Sequence, residues 1–353
     1  MQLESIEFSF LSIFTLTTFF VFLMVSKYSF KIKNGALLDQ DFSKPQAFHR
    51  LPISRSGGLA GIISLNIFFL IYYLLYSNIL IEYIVLCNSM FLIGFLDDVK
   101  IKVSPSRRLF LMIIFLFCLI HALPLKISNV DIPFLLDFLQ VKYFSSIFVM
   151  LCFLFIINGA NLVDGFNGLL SINLLIINLI LLYINILSGN NEFSIFLIAQ
   201  IIILLSFLLF NFPNAKIFLG DSGSYFMGTL VALNSIVTNN LNPNYSSFFF
   251  CTVLFYLFFE VFFSFSRKVI QGKSPVHPDS KHLHMLVYDK ISPLFGKDKS
   301  NYINSIIINF VYLLLVIPAL IFAKDPLISR YWFFSLIIIY LFIYLRLYRL
   351  TKN

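Results

Sequence analysis

Charge is what this sequence has least of. Only 12% of its 353 residues are Asp, Glu, Lys or Arg, while 59% are hydrophobic. That much apolar surface has no place inside a water-soluble core, so a bilayer must be the solvent. Cysteine is sparser still, with four residues. Cys87, Cys118, Cys152 and Cys251 all fall inside apolar runs without metal-ligand spacing, which excludes a disulfide scaffold and a thiolate metal centre. There is no low-complexity tail, no Pro- or Gly-rich linker and no obvious internal repeat, so the chain reads as one integral domain over residues 1–353. A cleavable leader is not expected either, because Glu4 and Glu7, rather than Lys or Arg, precede the first apolar run.

What is present is a series of apolar stretches long enough to cross hydrocarbon. Eleven can be placed, at about 8–26, 57–77, 79–96, 109–123, 143–157, 169–187, 193–211, 224–241, 247–265, 303–323 and 327–345. The expected fold is therefore an all-α polytopic membrane bundle. Lys27, Lys31 and Lys33 follow the first stretch, which puts its N-terminus outside. Threading onward from there leaves only Lys126, Lys142, Lys324 and Arg330, of the 25 Lys and Arg, on the outer side. The net charge of +8 is thus first a topology signal, with some attraction for anionic headgroups, and does not imply nucleic acid as a partner.

The segments expected inside concentrate the polar chemistry. Gly94–Lys100 carries the adjacent pair Asp97 and Asp98, followed by Lys100 and the Ser104–Leu109 run. Two neighbouring carboxylates at the end of an apolar span favour a cation beside them, and Lys100 suits a phosphate. Asn158–Leu169 holds Asn158, Asn161 and Asp164 three residues apart, on one face if the stretch stays helical, followed by Gly165 and Gly168. Its polarity cannot be topological, since it contains no Lys or Arg.

Asn211–Ser224 contains Lys216 and then Asp221 between Gly220 and Gly223, just before the next helix, where backbone N–H groups favour phosphate and one carboxylate suits Mg²⁺. An Asp there also serves as a helix N-cap, and that alternative stays open. Lys273–His284 brings three of the five histidines within eight residues, but without the fourth ligand a zinc site would need.

In this order the four segments resemble the polyprenyl-phosphate N-acetylhexosamine-1-phosphate transferases, a family that includes the phospho-N-acetylmuramoyl-pentapeptide transferases and the enzymes that initiate O-antigen and teichoic-acid linkage units. Phe48–Pro52, with His49, and Ser54–Gly58 are similar to the family's first cytoplasmic loop. The resemblance implies that Asp97 and Asp98 match the aspartate pair, Asn161 and Asp164 the central motif, Asp221 the magnesium-binding aspartate, and His282 and His284 the histidine motif that handles the nucleotide-sugar. Asn167 stands where many members have Asp, and Met285 where many have a further His.

The expectation is an Mg²⁺-dependent transferase, with Mn²⁺ as a substitute. It would move N-acetylhexosamine-1-phosphate from a UDP-sugar to polyprenyl phosphate and release UMP, from the cytoplasmic face of the plasma (cell inner) membrane. Asp97, Asp98 and Asp164 are the catalytic candidates and Asp221 the metal ligand. His49, Lys100, Asn158, Asn161, Lys216, His282 and His284 are the substrate-contact candidates. Eleven spans with an inside C-terminus are similar to the O-antigen-initiating branch and favour an undecorated UDP-N-acetylhexosamine. The alternatives are transfer from UDP-MurNAc-pentapeptide and, in another class, a transporter or lipid flippase. Besides the two substrates and membrane lipids, a second copy of the chain in a homodimer is the remaining partner considered.

Overall fold

A computed structural model describes residues 2–40, 52–101, 103–274 and 279–352. His49, with the Phe48–Leu51 part of its motif, lies outside the described residues, as does 275–278 of the histidine segment. Among the described residues the chain is helical almost throughout: α1 (Gln2–Tyr28), α2 (Gly57–Tyr76), α3 (Ile81–Asp98), α4 (Pro105–Ala122), α5 (Pro133–Leu139), α6 (Lys142–Val163) and α7 (Leu169–Leu187). There follow α8 (Asn191–Asn211), α9 (Gly220–Leu241), α10 (Ser247–Val253), α11 (Phe255–Ile270), α12 (Leu283–Phe295), α13 (Lys297–Ile321) and α14 (Pro326–Lys352). Ten of the eleven expected apolar stretches fall on a single helix each, and the ninth on the pair α10 and α11.

By length and composition, eight described helices can cross a membrane, or nine if the pair α10 and α11, bent by 75°, is one span. The ninth expected stretch is therefore a broken helix. The two that miss the count are α3, which carries Glu82, Asp97 and Asp98, and α9, which is rich in Gly, Ser, Thr and Asn. The reason for α9 is its place. Nearly all of its residues are buried, packed most extensively on α3 and α6, so it never faces lipid and has no need of lipid-like side chains. Its Asn234 donates to Asn178 of α7 (3.0 Å) and exchanges hydrogen bonds with Gln200 of α8, satisfying amides that hydrocarbon would leave unpaired. By contrast α1, α4 and α14 expose rows of Leu, Ile and Phe, as lipid-facing helices do.

The two short expected stretches, 109–123 and 143–157, lengthen by taking in their flanks. Ser104 caps α4 by accepting from the Arg107 N–H at 3.4 Å, and Pro105 fills the first helical position, where a missing N–H costs nothing. The other stretch becomes α6 and runs on to Val163, so Asn158 and Asn161 are helical residues.

Close backbone approach then fixes the central helices. A Cβ on Gly94 of α3 would lie 2.5 Å from the Asp221 backbone of α9, a distance no real side chain tolerates. The first polar segment is knitted to the start of α9 as well: strand β1 (Leu38–Asp39) pairs antiparallel with β2 (Ile53–Ser54), and Ser54 bridges to Ile217. The N–H groups of Gly57 and Gly58 then donate to Phe218 and Leu219, each at 2.8 Å.

Candidate active site

The first turn of α9 is the centre of the site. Its start, at Gly220 rather than near 224 as the apolar pattern suggests, is decided from outside the helix. Leu219 at the N-cap offers no side-chain oxygen, and Asp98 supplies it instead. Asp98 Oδ1 accepts from the Asp221 N–H at 3.0 Å and Oδ2 from the Ser222 N–H at 2.9 Å. With 1% of its surface exposed, this carboxylate has both oxygens committed to backbone donors that a helix start leaves unpaired. Gly220, at φ +78°, passes so close to Asp98 that a Cβ would meet its carboxylate at 2.6 Å. The capping role that sequence allowed Asp221 thus belongs to Asp98, and the Asp221 side chain is left for other partners.

Those partners are cations and amides. Asn161 Nδ2, from the last turn of α6, donates to Asp221 Oδ1 at 3.1 Å and to Ser224 Oγ at 3.0 Å. Arg108, from the first turn of α4, places Nη1 against Asp221 Oδ2 and 3.2 Å from Asp97 Oδ2. Arg55 donates from Nε and Nη2 to Asp39 Oδ2, at 3.0 and 2.7 Å, and holds Nη1 3.9 Å from Asp98 and 4.0 Å from Asp97. Three carboxylates separated by up to 124 residues in sequence therefore share one small volume with two guanidinium groups. Neither Arg was among the sequence candidates, because topology alone accounts for basic residues on that side of the membrane.

Asp164, where α6 ends, donates its backbone N–H to Ala160 O at 3.1 Å, while its side chain has no hydrogen bond or ion pair to another described residue. Burial, aided by the charge of Asp221, pushes its carboxyl up to about 7. Asn158 turns back and donates to Leu154 O of its own helix at 2.7 Å. The three-residue spacing places Asn158, Asn161 and Asp164 along one stretch of α6, but of the Asn pair it is Asn161 that reaches Asp221. The loop after it is held by amides from afar. Asn301 Oδ1 accepts from the Asn167 N–H at 2.8 Å, Asn211 Oδ1 from the Gly168 N–H at 2.7 Å, and Asn167 itself donates to Pro213 O at 2.9 Å. Asn167 thus fastens the loop. Lys100 and Lys216 are exposed, and neither side chain reaches a described partner.

The histidines complete the other side. The rings of His282 and His284 stack at 5.5 Å, 8° from parallel. His284 is fully buried, its Nδ1 3.2 Å from Tyr256 Oη and its Nε2 without a partner, next to Gly165 of the central motif. Burial drives its basicity down to about 3, so the ring is neutral. Asn304 donates to His284 O at 3.0 Å, tying the α12 start to α13. Arg267 pairs with Asp279 and lies over the Tyr344 ring at 5.8 Å, bracing the segment before the histidines. Asn301 and Asn304 sat unnoticed at the head of an apolar stretch, as did Glu260 within one.

The donor set fits a hard divalent cation. Among the described residues no three His, Cys, Asp or Glu side chains converge on one point. Asp97 and Asp221, however, already bring one oxygen each to the same cationic group of Arg108. Mg²⁺ needs only one or two carboxylates, with water and phosphate oxygens making up the rest.

Residues 80–239 match the family model described as glycosyl transferase family 4. The chain is 33% identical over 145 residues to the undecaprenyl-phosphate alpha-N-acetylglucosaminyl 1-phosphate transferase of Thermotoga maritima, covering 41% of this chain and 44% of that protein. It is 29% identical over 198 residues to the phospho-N-acetylmuramoyl-pentapeptide-transferase of Clostridioides difficile, covering 52% and 62%. To the probable undecaprenyl-phosphate N-acetylglucosaminyl 1-phosphate transferase of Bacillus subtilis it is 29% identical over 196 residues, covering 54% and 53%. The chain thus spans about half the length of the curated relatives it matches. The matched segment contains Asp97, Asp98, Arg108, Asn161, Asp164 and Asp221, and over that segment this multi-pass membrane chain is similar to glycosyl transferase family 4.

Proposed function

We propose that the chain transfers N-acetylhexosamine-1-phosphate from a UDP-sugar to polyprenyl phosphate at the cytoplasmic face of the plasma membrane, using Mg²⁺ or, in its place, Mn²⁺. The observation that supports this reading is the convergence of Asp97 and Asp221 on the guanidinium of Arg108, with Asp164 near them and His284 next to Gly165 of the same motif. Three phosphate groups must meet in the reaction, and the main task is to offset their mutual repulsion. Asp97 and Asp221 would hold the metal ion, which supplies charge stabilisation to phosphate oxygens when bound.

The chain's own residues do the rest. Asp98 fixes the start of α9 and with it the Asp221 side chain. Asn161 orients that carboxylate from the opposite edge. Arg108 and Arg55 supply positive charge to phosphates, and exposed Lys100 and Lys216 extend it. Asp164, with its proton half retained near neutral pH, donates to or accepts from the sugar-phosphate as the donor requires.

A phosphate oxygen of the lipid attacks the sugar-bearing β-phosphorus, the bond from that phosphorus to the bridging oxygen breaks, and UMP leaves with the bond's electrons. A phosphomonoester whose second pKa is about 6 is already largely dianionic, so direct attack needs no base. Asp98, with both oxygens engaged, is the least available of the three for covalent attack.

The relatives' names divide between an N-acetylglucosaminyl donor and a pentapeptide-bearing one, and the undecorated UDP-sugar is the reading taken here. Purified chain with Mg²⁺, polyprenyl phosphate and a set of UDP-sugars including UDP-MurNAc-pentapeptide is expected to release UMP with a UDP-N-acetylhexosamine. Release only from the pentapeptide donor would move the chain to the other branch. No release from any donor would favour a transporter.

A further inference from the structure

Glu260 is a carboxylate in the middle of an apolar stretch of a membrane chain, where such a charge is expensive and marks function. It is 1% exposed and its oxygens are fully used. Oε1 accepts from the Leu283 N–H at 3.1 Å and lies 3.1 Å from His282 Nδ1, while Oε2 accepts from Tyr340 Oη–H at 2.5 Å. Three helices, α11, α12 and α14, therefore meet on one carboxylate.

Capping α12 does not by itself require this. The Leu283 N–H needs only an acceptor, and a neutral amide or hydroxyl oxygen in place of Glu260 would supply one without a buried charge. What a carboxylate adds is a choice of tautomer. Donation to Glu260 puts a proton on Nδ1 of His282, and in the neutral ring this leaves the Nε2 lone pair as the free edge. That Nε2 has no partner among the described residues, and neither has the Nε2 of the stacked His284. The tyrosines repeat the arrangement: Tyr256 Oη serves the Nδ1 edge of His284 as Glu260 serves that of His282.

We infer that Glu260 is a positioning residue, which locks His282 in the Nδ1–H tautomer and sets the orientation of the stacked histidine pair, so that both Nε2 edges stay free for a ligand. That the ligand is the nucleotide-sugar rests on the function proposed above.

The test uses the full chain in detergent with nitrogen-labelled histidine, the His282 signals being those lost in His282→Asn. Wild type is expected to show a protonated Nδ1 and a bare Nε2. Glu260→Gln is expected to give a mixture of tautomers and a fall of about 10–100-fold in kcat/KM for the UDP-sugar. Glu260→Asp recovers part of both, and Tyr340→Phe, which leaves the Glu260–His282 contact in place, keeps the single tautomer. A lone Nδ1–H tautomer persisting in Glu260→Gln overturns the inference, as does a tautomer change with turnover untouched. Absence of UMP release from wild type counts against the transferase reading alone, because the nitrogen spectra need no substrate and still decide the role of Glu260.

Discussion

Asp164 carries a stability cost at the site where the proposed transfer would use it. Its folded-state carboxyl titrates at about 7, above the ordinary value of 3.8. At low pH both folded and unfolded chains hold the proton. As pH rises past the ordinary range the unfolded chain releases it first, so stability falls until the folded carboxyl ionises near 7 and stays low above that. Asp164→Asn removes this penalty. With metal chelated, the variant is expected to melt a few degrees above wild type at about pH 8 and within error of it at about pH 3, where both folded and unfolded carboxyls hold the proton, as thermal unfolding in detergent would show, while losing most UMP release. An equal gap at both values would contradict the raised carboxyl. Most of the residues at this site were legible as types in a pattern: Asp97, Asp98, Asn161, Asp164, Asp221, His282 and His284 all stand out against an apolar background. Which oxygen caps, which binds and which waits unpaired was not legible, because those roles depend on neighbours more than a hundred residues away. Arg108 and Arg55 hid among topological charges. Glu260 belongs to no motif of the sequence, and the partner that gives it a role lies 22 positions on at His282.

Among the elements, α9 is the one on which the site depends. It packs against α3 through glycines, and Gly94 is the tightest point, where the Asp221 backbone leaves no room for a methyl group. Gly94→Ala is expected to push the two helices apart at a cost of about 1–3 kcal/mol. Because Asp97 and Asp98 end α3 while Asp221 begins α9, the same change should also lower activity by about 100-fold, in line with the cost of ångström-scale misplacement at a reacting centre. Thermal unfolding and UMP release measured on one preparation would check both. Unchanged turnover in a folded variant would show that this contact does not set the spacing. Helix ends were the weakest part of the sequence reading for the same reason. Hydropathy starts α9 near 224 and ends α6 near 157 because an apolar pattern stops where polar residues begin, whereas these helices continue into polar residues that other elements satisfy, from Gly220 and to Val163.

For the whole molecule, the eleven-helix threading puts the first and last helices' free ends on opposite sides of the membrane. A fluorescent protein fused after α14 is expected to mature in the cytoplasm, and a cysteine introduced in the connection between α5 and α6 to react with an impermeant reagent added from outside. Labelling of that cysteine only after lysis would invert the threading. The sequence by itself determined the class: with so little charge and so many apolar stretches, only a bundle of membrane helices satisfies the backbone. It also determined the motif order, which carried the family resemblance. Tertiary structure alone decided that α9 is a buried core helix, that α10 and α11 are a broken pair, and that Asp98 caps α9 while the Asp221 side chain meets Arg108 and Asn161 beside Asp97. Hydropathy reports what each segment prefers as solvent. Which carboxylate meets which donor follows from the close packing of helices, and that information is spread over the entire chain.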